Sequence, residues 1–153
     1  MSIDKLLNIK YGFNDNYDLE NSHVLPALLR KFHEAKINNQ SKVEVWGTGE
    51  PLREFLHASD MANACVYLMQ NYNEKGFVNI GTGIEISIKD LAYLIKKVVD
   101  FSGEIIFDSS KPNGTPRKLT DITKLTNLGW KYKIELEDGV KNVYQQKFLL
   151  NEE

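Results

Sequence analysis

Few side chains in this sequence can move a proton near neutral pH: His23, His33 and His57, with Cys65 as the single thiol. Histidine suits that work because its unperturbed pKa lies at about 6.5. By residue type His23 is a helix-start or surface histidine, His33 falls on a polar helix flank, and His57 ends a strand. Cys65, between Ala64 and Val66 on an apolar face, reads as a packed thiol, since a reactive thiolate wants an electropositive site. Tyr93 and Lys97 have Tyr-x-x-x-Lys spacing, read here as coincidence on an amphipathic helix where lysines are common. A second group suits an anion. A diphosphate carries about two negative charges, which guanidinium grips at two points and lysine meets as a point charge. Arg30, Lys31, Arg53 and Lys118 are the candidates, and each alone would pass for a solvated charge. Trp46 offers a face to a ligand ring, or is a core tryptophan at a strand end. Asp108 and Asn113 flank a Pro-Gly loop that fits a lid, with ordinary turn chemistry an equal reading.

These residues need elements to hold them. Residues 1–22 are rich in turn formers and predict a loop-rich start. Val24, Leu25, Leu28, Leu29, Phe32 and Ala35 recur at helical spacing, predicting a helix over 23–38 capped by Asn21 or Ser22. Val43–Trp46 and Arg53–His57 read as a hairpin across the turn 47–51. A helix over 59–71 turns Met61, Ala64, Cys65, Leu68 and Met69 inward. Phe77–Ile80 reads as a strand. Ser87 and Asp90 form a capping pair for a helix to Asp100, with Ile88, Leu91, Ala92, Ile95, Val98 and Val99 as its stripe. A strand over 104–107, a polar loop over 108–118, a short helix over 121–128 stopped by Gly129, and a last helix over 136–150 complete the pattern.

The 153 residues suit one domain with a real core, divided here into a remodelled or truncated start (1–22) and a binding domain (23–153). The net charge of −2 gives no general attraction to phosphate polymers, so no nucleic acid is expected. One cysteine excludes an internal disulfide and a multi-cysteine zinc site, and no metal is expected. Neither a signal peptide nor an apolar run of about 18 residues is present, so a cytoplasmic protein without a membrane partner is expected. The pattern is α/β, with short strands and an α+β-like arrangement. No complete Rossmann unit is expected, because the close glycine pairs Gly47/Gly49 and Gly81/Gly83 do not open a helix with a third glycine.

Four segments together resemble one family. Trp46-Gly47-Thr48-Gly49 with Arg53-Glu54-Phe55-Leu56-His57, and Asn79-Ile80-Gly81-Thr82-Gly83, resemble the C-terminal half of extended short-chain dehydrogenase/reductases acting on nucleotide sugars. Asn21-Ser22-His23-Val24-Leu25-Pro26-Ala27-Leu28 and Ser110-Lys111-Pro112-Asn113-Gly114-Thr115-Pro116-Arg117-Lys118 narrow this to the GDP-L-fucose synthases, over residues 8 to about 148. That family epimerises GDP-4-keto-6-deoxy-D-mannose at C3 and C5 and reduces C4 with NADPH. The resemblance implies that His23 is the proton donor of epimerisation, and that Lys31, Trp46, Arg53 and Lys118, with Arg30 and Asn113, face the GDP-sugar. It places Asn8, Ile9 and His23 toward the NADP of the complete enzyme. The family's serine, Tyr-x-x-x-Lys and catalytic cysteine belong to an N-terminal cofactor domain of about 160 residues, absent here as a motif. The chain alone is therefore expected to bind no cofactor and to be inactive. Lys31 stands where an arginine is often found. The family's Pro-Thr-Asn-x-Tyr-Gly-Pro run appears as Leu6-Leu7-Asn8-Ile9-Lys10-Tyr11-Gly12-Phe13, with an extra residue and phenylalanine for proline. Two alternatives stay open: an interaction module pairing with a separate cofactor domain or with itself, and the substrate domain of a UDP-sugar epimerase, disfavoured by the Ser-Lys-Pro loop.

Overall fold

A computed structural model describes residues 9–150, so Asn8 and the segment before it lie outside the described residues. Helices and mainly parallel strands alternate in an α/β arrangement. Strands β1 (Ile9–Tyr11), β3 (Leu52–His57), β4 (Glu85–Ser87) and β6 (Arg117–Lys118) form one sheet around β3. Strands β2 (Lys42–Trp46) and β5 (Glu104–Asp108) form a second, parallel pair. Helices α1 (Val24–Ile37) and α3 (Ile88–Val99) enclose the main core with α5 (Leu136–Tyr144), while α2 (Ala58–Asn71) and α4 (Thr123–Asn127) share a smaller one around Leu56, Leu125 and Trp130.

The helices follow their apolar spacing. In α3 the residues Ile88, Leu91, Ala92, Ile95 and Val99 are buried, and Val98 is half-buried beside them. Ser87 Oγ accepts from Asp90 N at 3.0 Å and donates to Asp90 Oδ2 at 2.6 Å, so the capping pair forms with aspartate in place of glutamate. The stripe of α1 is buried as its spacing predicts, but its N-cap is His23, which makes no side-chain cap bond.

Several expectations are corrected by tertiary contacts. The proposed hairpin does not form: β2 pairs with β5, and β3 turns away into the other sheet. The connecting turn is claimed by α3 instead, since Gly49 O accepts from Lys89 N and Pro51 O from Ile88 N. Phe77–Ile80 is not a strand, because the described strands offer it no ladder and its amide side chain bonds a loop: Asn79 Nδ2 donates to Asp121 O. The loop-rich start contributes β1, which lies parallel to β3 with Ile9 opposite Phe55. Cys65 and Met69 are exposed on the outer face of α2, so neither packs in the core. His33 is buried, its Nδ1 at 3.2 Å from the Tyr144 hydroxyl. The last helix changes from α to π winding over Gln145–Leu149.

Candidate functional site

The loop that joins β5 to β6 connects two groups of candidate residues. It begins at Asp108, the parallel partner of Trp46, and ends at Lys118, the parallel partner of Arg53. One connection thus spans the indole at the end of β2 and a pair of cations on the other sheet. Asn113 pins its middle, because Asn113 Oδ1 accepts from Thr48 N at 2.7 Å and from Thr48 Oγ1 at 3.2 Å. Gly47 makes that approach possible: a Cβ there would stand 2.4 Å from Asn113 Oδ1, and its φ of +82° already favours glycine. Arg53 reaches the same loop, with Nη2 3.6 Å from where a Cβ on Gly114 would lie.

Trp46 is 55% exposed, so its indole is a surface face and not core packing. Lys31 Nζ lies 5.2 Å and Lys111 Nζ 5.6 Å from its ring centroid, within the range of cation–π attraction. Lys31 is anchored by donating to Glu44 O at 3.2 Å, and burial lowers its pKa from the ordinary lysine value. Below the indole, Leu19, Val24, Ala27, Leu28, Val45 and Ile88 make the apolar wall of a pocket of about 210 Å³, with Glu20 and Ser22 at its polar side. Glu50, Pro51, Asn113, Gly114 and Pro116 line a neighbouring hollow of about 190 Å³ beneath the loop. Burial also lowers the pKa of Arg53, whose Nη1 donates to its own Leu52 O. A larger cleft of about 510 Å³ lies between residues 10–15, His57 and α5, and contains none of these cations nor Trp46.

The other sequence-predicted residues are placed as follows. His23 is exposed at the start of α1, between Ser22 and Val24 of the pocket wall. Arg30 is not brought to the pocket: its guanidinium pairs with Glu34 at 2.6 Å and donates to Tyr17 O at 3.1 Å. Ile9 is half-buried on β1 against the main core. His57 accepts from Ser59 N through Nδ1, and burial lowers its pKa. Lys97 is ion-paired with Glu137 at 2.9 Å on the surface.

Two residues that the sequence did not single out hold this region together. Glu54, only 1% exposed, accepts from Thr82 N, Gly83 N and Thr120 N with its two oxygens. Asp60 accepts from Lys133 N and Ile134 N, fastening α2 to the segment before α5. Glu54 stands inside the Arg-Glu-Phe segment, and a charged residue next to two apolar ones in a strand was the available signal.

Residues 7–81 match the family model described as the NAD dependent epimerase/dehydratase family. The chain is 58% identical over 135 residues to a putative GDP-L-fucose synthase 2 from Arabidopsis thaliana, covering 88% of this chain and 41% of that protein. It is 48% identical over 152 residues to the GDP-L-fucose synthase of Escherichia coli K12, covering 94% and 47%. The chain carries the pattern of that family over residues 7–81, just under half of its length. Its fold agrees with that of family members: a GDP-L-fucose synthetase from Naegleria fowleri solved with NADP bound superposes with a TM-score of 0.85 at 32% identity, over 90% of this chain and 44% of that one. The chain spans under half the length of the relatives it matches in sequence.

The close glycines of the described residues form no cradle for a dinucleotide pyrophosphate. A pyrophosphate cradle needs glycine backbone open at a strand-to-helix turn. Here the close glycines face protein: a Cβ on Gly81 would meet Glu54 Oε1 at 2.4 Å, and one on Gly83 would meet Ile122 at 2.8 Å. Among the described residues no helix is long and apolar enough to cross a membrane, and no group of metal-ligating side chains gathers.

Proposed function

We propose that this chain is the GDP-sugar-binding portion of a GDP-L-fucose synthase. The observation that carries the reading is the double register, Trp46 with Asp108 and Arg53 with Lys118, bridged by the Asn113 loop. The indole takes a ring of the nucleotide, and Lys31, Arg53 and Lys118 meet the diphosphate. Arg30 acts as an anchor for the 12–22 segment. In the complete enzyme His23, whose imidazole is exposed and makes no cap bond, returns a proton to the carbon next to the substrate ketone. Removal of the original proton from the opposite face and delivery of hydride from NADPH both require groups beyond the described residues.

Calorimetric titration of the purified chain tests this. GDP is expected to bind with micromolar to millimolar affinity and UDP more weakly, with no NADPH consumption when GDP-4-keto-6-deoxy-D-mannose is added. Absence of heat with GDP at millimolar concentration would overturn the reading.

Lys31 adds a pH signature. An ammonium grips the diphosphate, and burial moves its pKa below the ordinary lysine value. Affinity is therefore full below that lowered pKa and falls as pH rises through it, earlier than for an exposed lysine. Lys31→Arg should remove this fall, because guanidinium stays charged, and should tighten GDP by about threefold to tenfold through a two-point grip. Titrations at stepped pH on both proteins check it.

A second reading rests on a different surface. Val66 and Met69 are exposed beside Cys65 on α2, and such an apolar face favours association with a cofactor domain or a second copy. Light scattering decides between a monomer and a self-associating chain.

A further inference from the structure

We infer that Lys111, together with the polar side of the Trp46 pocket, selects guanine over adenine; this rests on the GDP-binding reading above. Two ammoniums, Lys31 and Lys111, stand against a single exposed indole, with the Glu44 carboxylate near enough to act on Lys31 and the Asp108 carboxylate on Lys111. Lys31 is half-buried and tied to Glu44 O, whereas Lys111 sits on the exposed bridging loop with only its backbone N bonded, to Asp108 O. A planar base that stacks on the indole displaces the ammonium that is free to move, and this is Lys111. The pocket wall around the indole is apolar, which suits a flat base and would leave the hydroxyls of a sugar unpaired.

The edge of guanine then finds complementary groups. Its O6 and N7 both accept, and a displaced Lys111 at the rim of the ring donates to them. At the O6 position adenine carries an amine, itself a donor, which an ammonium repels. Guanine also offers donors at N1 and N2. The pocket presents the Glu20 carboxylate and the Ser22 hydroxyl, whose Oγ is buried without a hydrogen-bond partner among the described residues. A lysine that grips the diphosphate instead would make no such distinction between bases.

The experiment measures calorimetric affinities of GDP, GMP and ADP for the chain, for Lys111→Met and for Lys111→Arg. Lys111 is exposed on a loop, so both variants should keep the parent's circular dichroism and melting temperature. Lys111→Met is expected to weaken GDP and GMP alike, by about tenfold, and to leave ADP nearly unchanged, narrowing the guanine preference by the same factor. Lys111→Arg should retain the preference, since guanidinium also donates to O6 and N7. An equal loss for GDP and ADP, growing from GMP to GDP, would assign Lys111 to the phosphates and overturn the inference. So would unchanged affinities in Lys111→Met. If the parent chain itself fails to bind GDP, the functional reading falls first.

Discussion

Glu54→Ala is expected to lower the stability of this chain by about 2–4 kcal/mol, seen as a clear drop in the urea midpoint. Glu54 lies in the centre of the β3 sheet, and its side chain replaces water for three backbone N–H groups. Oε1 accepts from Thr82 N at 2.6 Å and Gly83 N at 2.7 Å, and Oε2 from Thr120 N at 2.9 Å. Thr120 is buried, so leaving its N–H without a partner costs about 1–3 kcal/mol, whereas water reaches half-buried Thr82 and exposed Gly83 and lowers the cost there. Even so, the loss is a sizeable part of the about 5–15 kcal/mol that holds a typical domain. Glu54→Gln separates shape from bonding. Its amide oxygen can still serve Thr82 and Gly83, but its NH2 then faces the N–H of Thr120, so a loss of about 1–3 kcal/mol is expected. Urea unfolding followed by circular dichroism reads both variants. A loss below about 0.5 kcal/mol for the alanine variant, the size of an ordinary surface change, would mean that these bonds do not hold the turn.

Trp46→Ala should do the reverse, removing binding and sparing the fold. The indole is more than half exposed, so truncation opens no cavity in the core and the melting temperature should move little. Stacking of a base on an aromatic side chain is worth about 1–3 kcal/mol, which predicts a loss of GDP affinity of about fivefold to 150-fold. Lys31 and Lys111 also lose the face against which both now rest. Trp46→Phe should recover most of the affinity, because a smaller ring still stacks. Calorimetry and thermal melting on the same samples supply the two readouts. A variant that melts like its parent and binds GDP equally well would remove the indole from the site.

The helices and their buried faces were legible in the residue order because they depend on neighbours three and four positions apart. Ile88, Leu91, Ala92, Ile95 and Val99 declare the inner side of α3, and Ser87 with Asp90 declares its start. Pairing between distant strands carries no such local mark. The run 43–46 and the run 53–57 invite a hairpin, since nothing between them shows that α3 will bind the turn carbonyls of Gly49 and Pro51. Burial on α2 has no local mark either: apolar side chains line more than one face, and the packing partners, far along the chain, choose among them. Cys65 and Met69 lost that choice, and Ala64 won it.

For the candidate site, residue order alone determined the chemical types: an indole, several cations and a histidine in segments that resemble a family of nucleotide-sugar enzymes. Only the tertiary structure decided which of them share a place. Parallel register sets Trp46 beside Asp108 and Arg53 beside Lys118, so the loop between must cross from one to the other. The same folding ties Arg30 to Glu34 and Tyr17 and carries Lys111 to the indole. A side chain's chemistry is fixed by its own atoms, whereas its neighbours are fixed by contacts across many residues, which no short stretch of chain encodes.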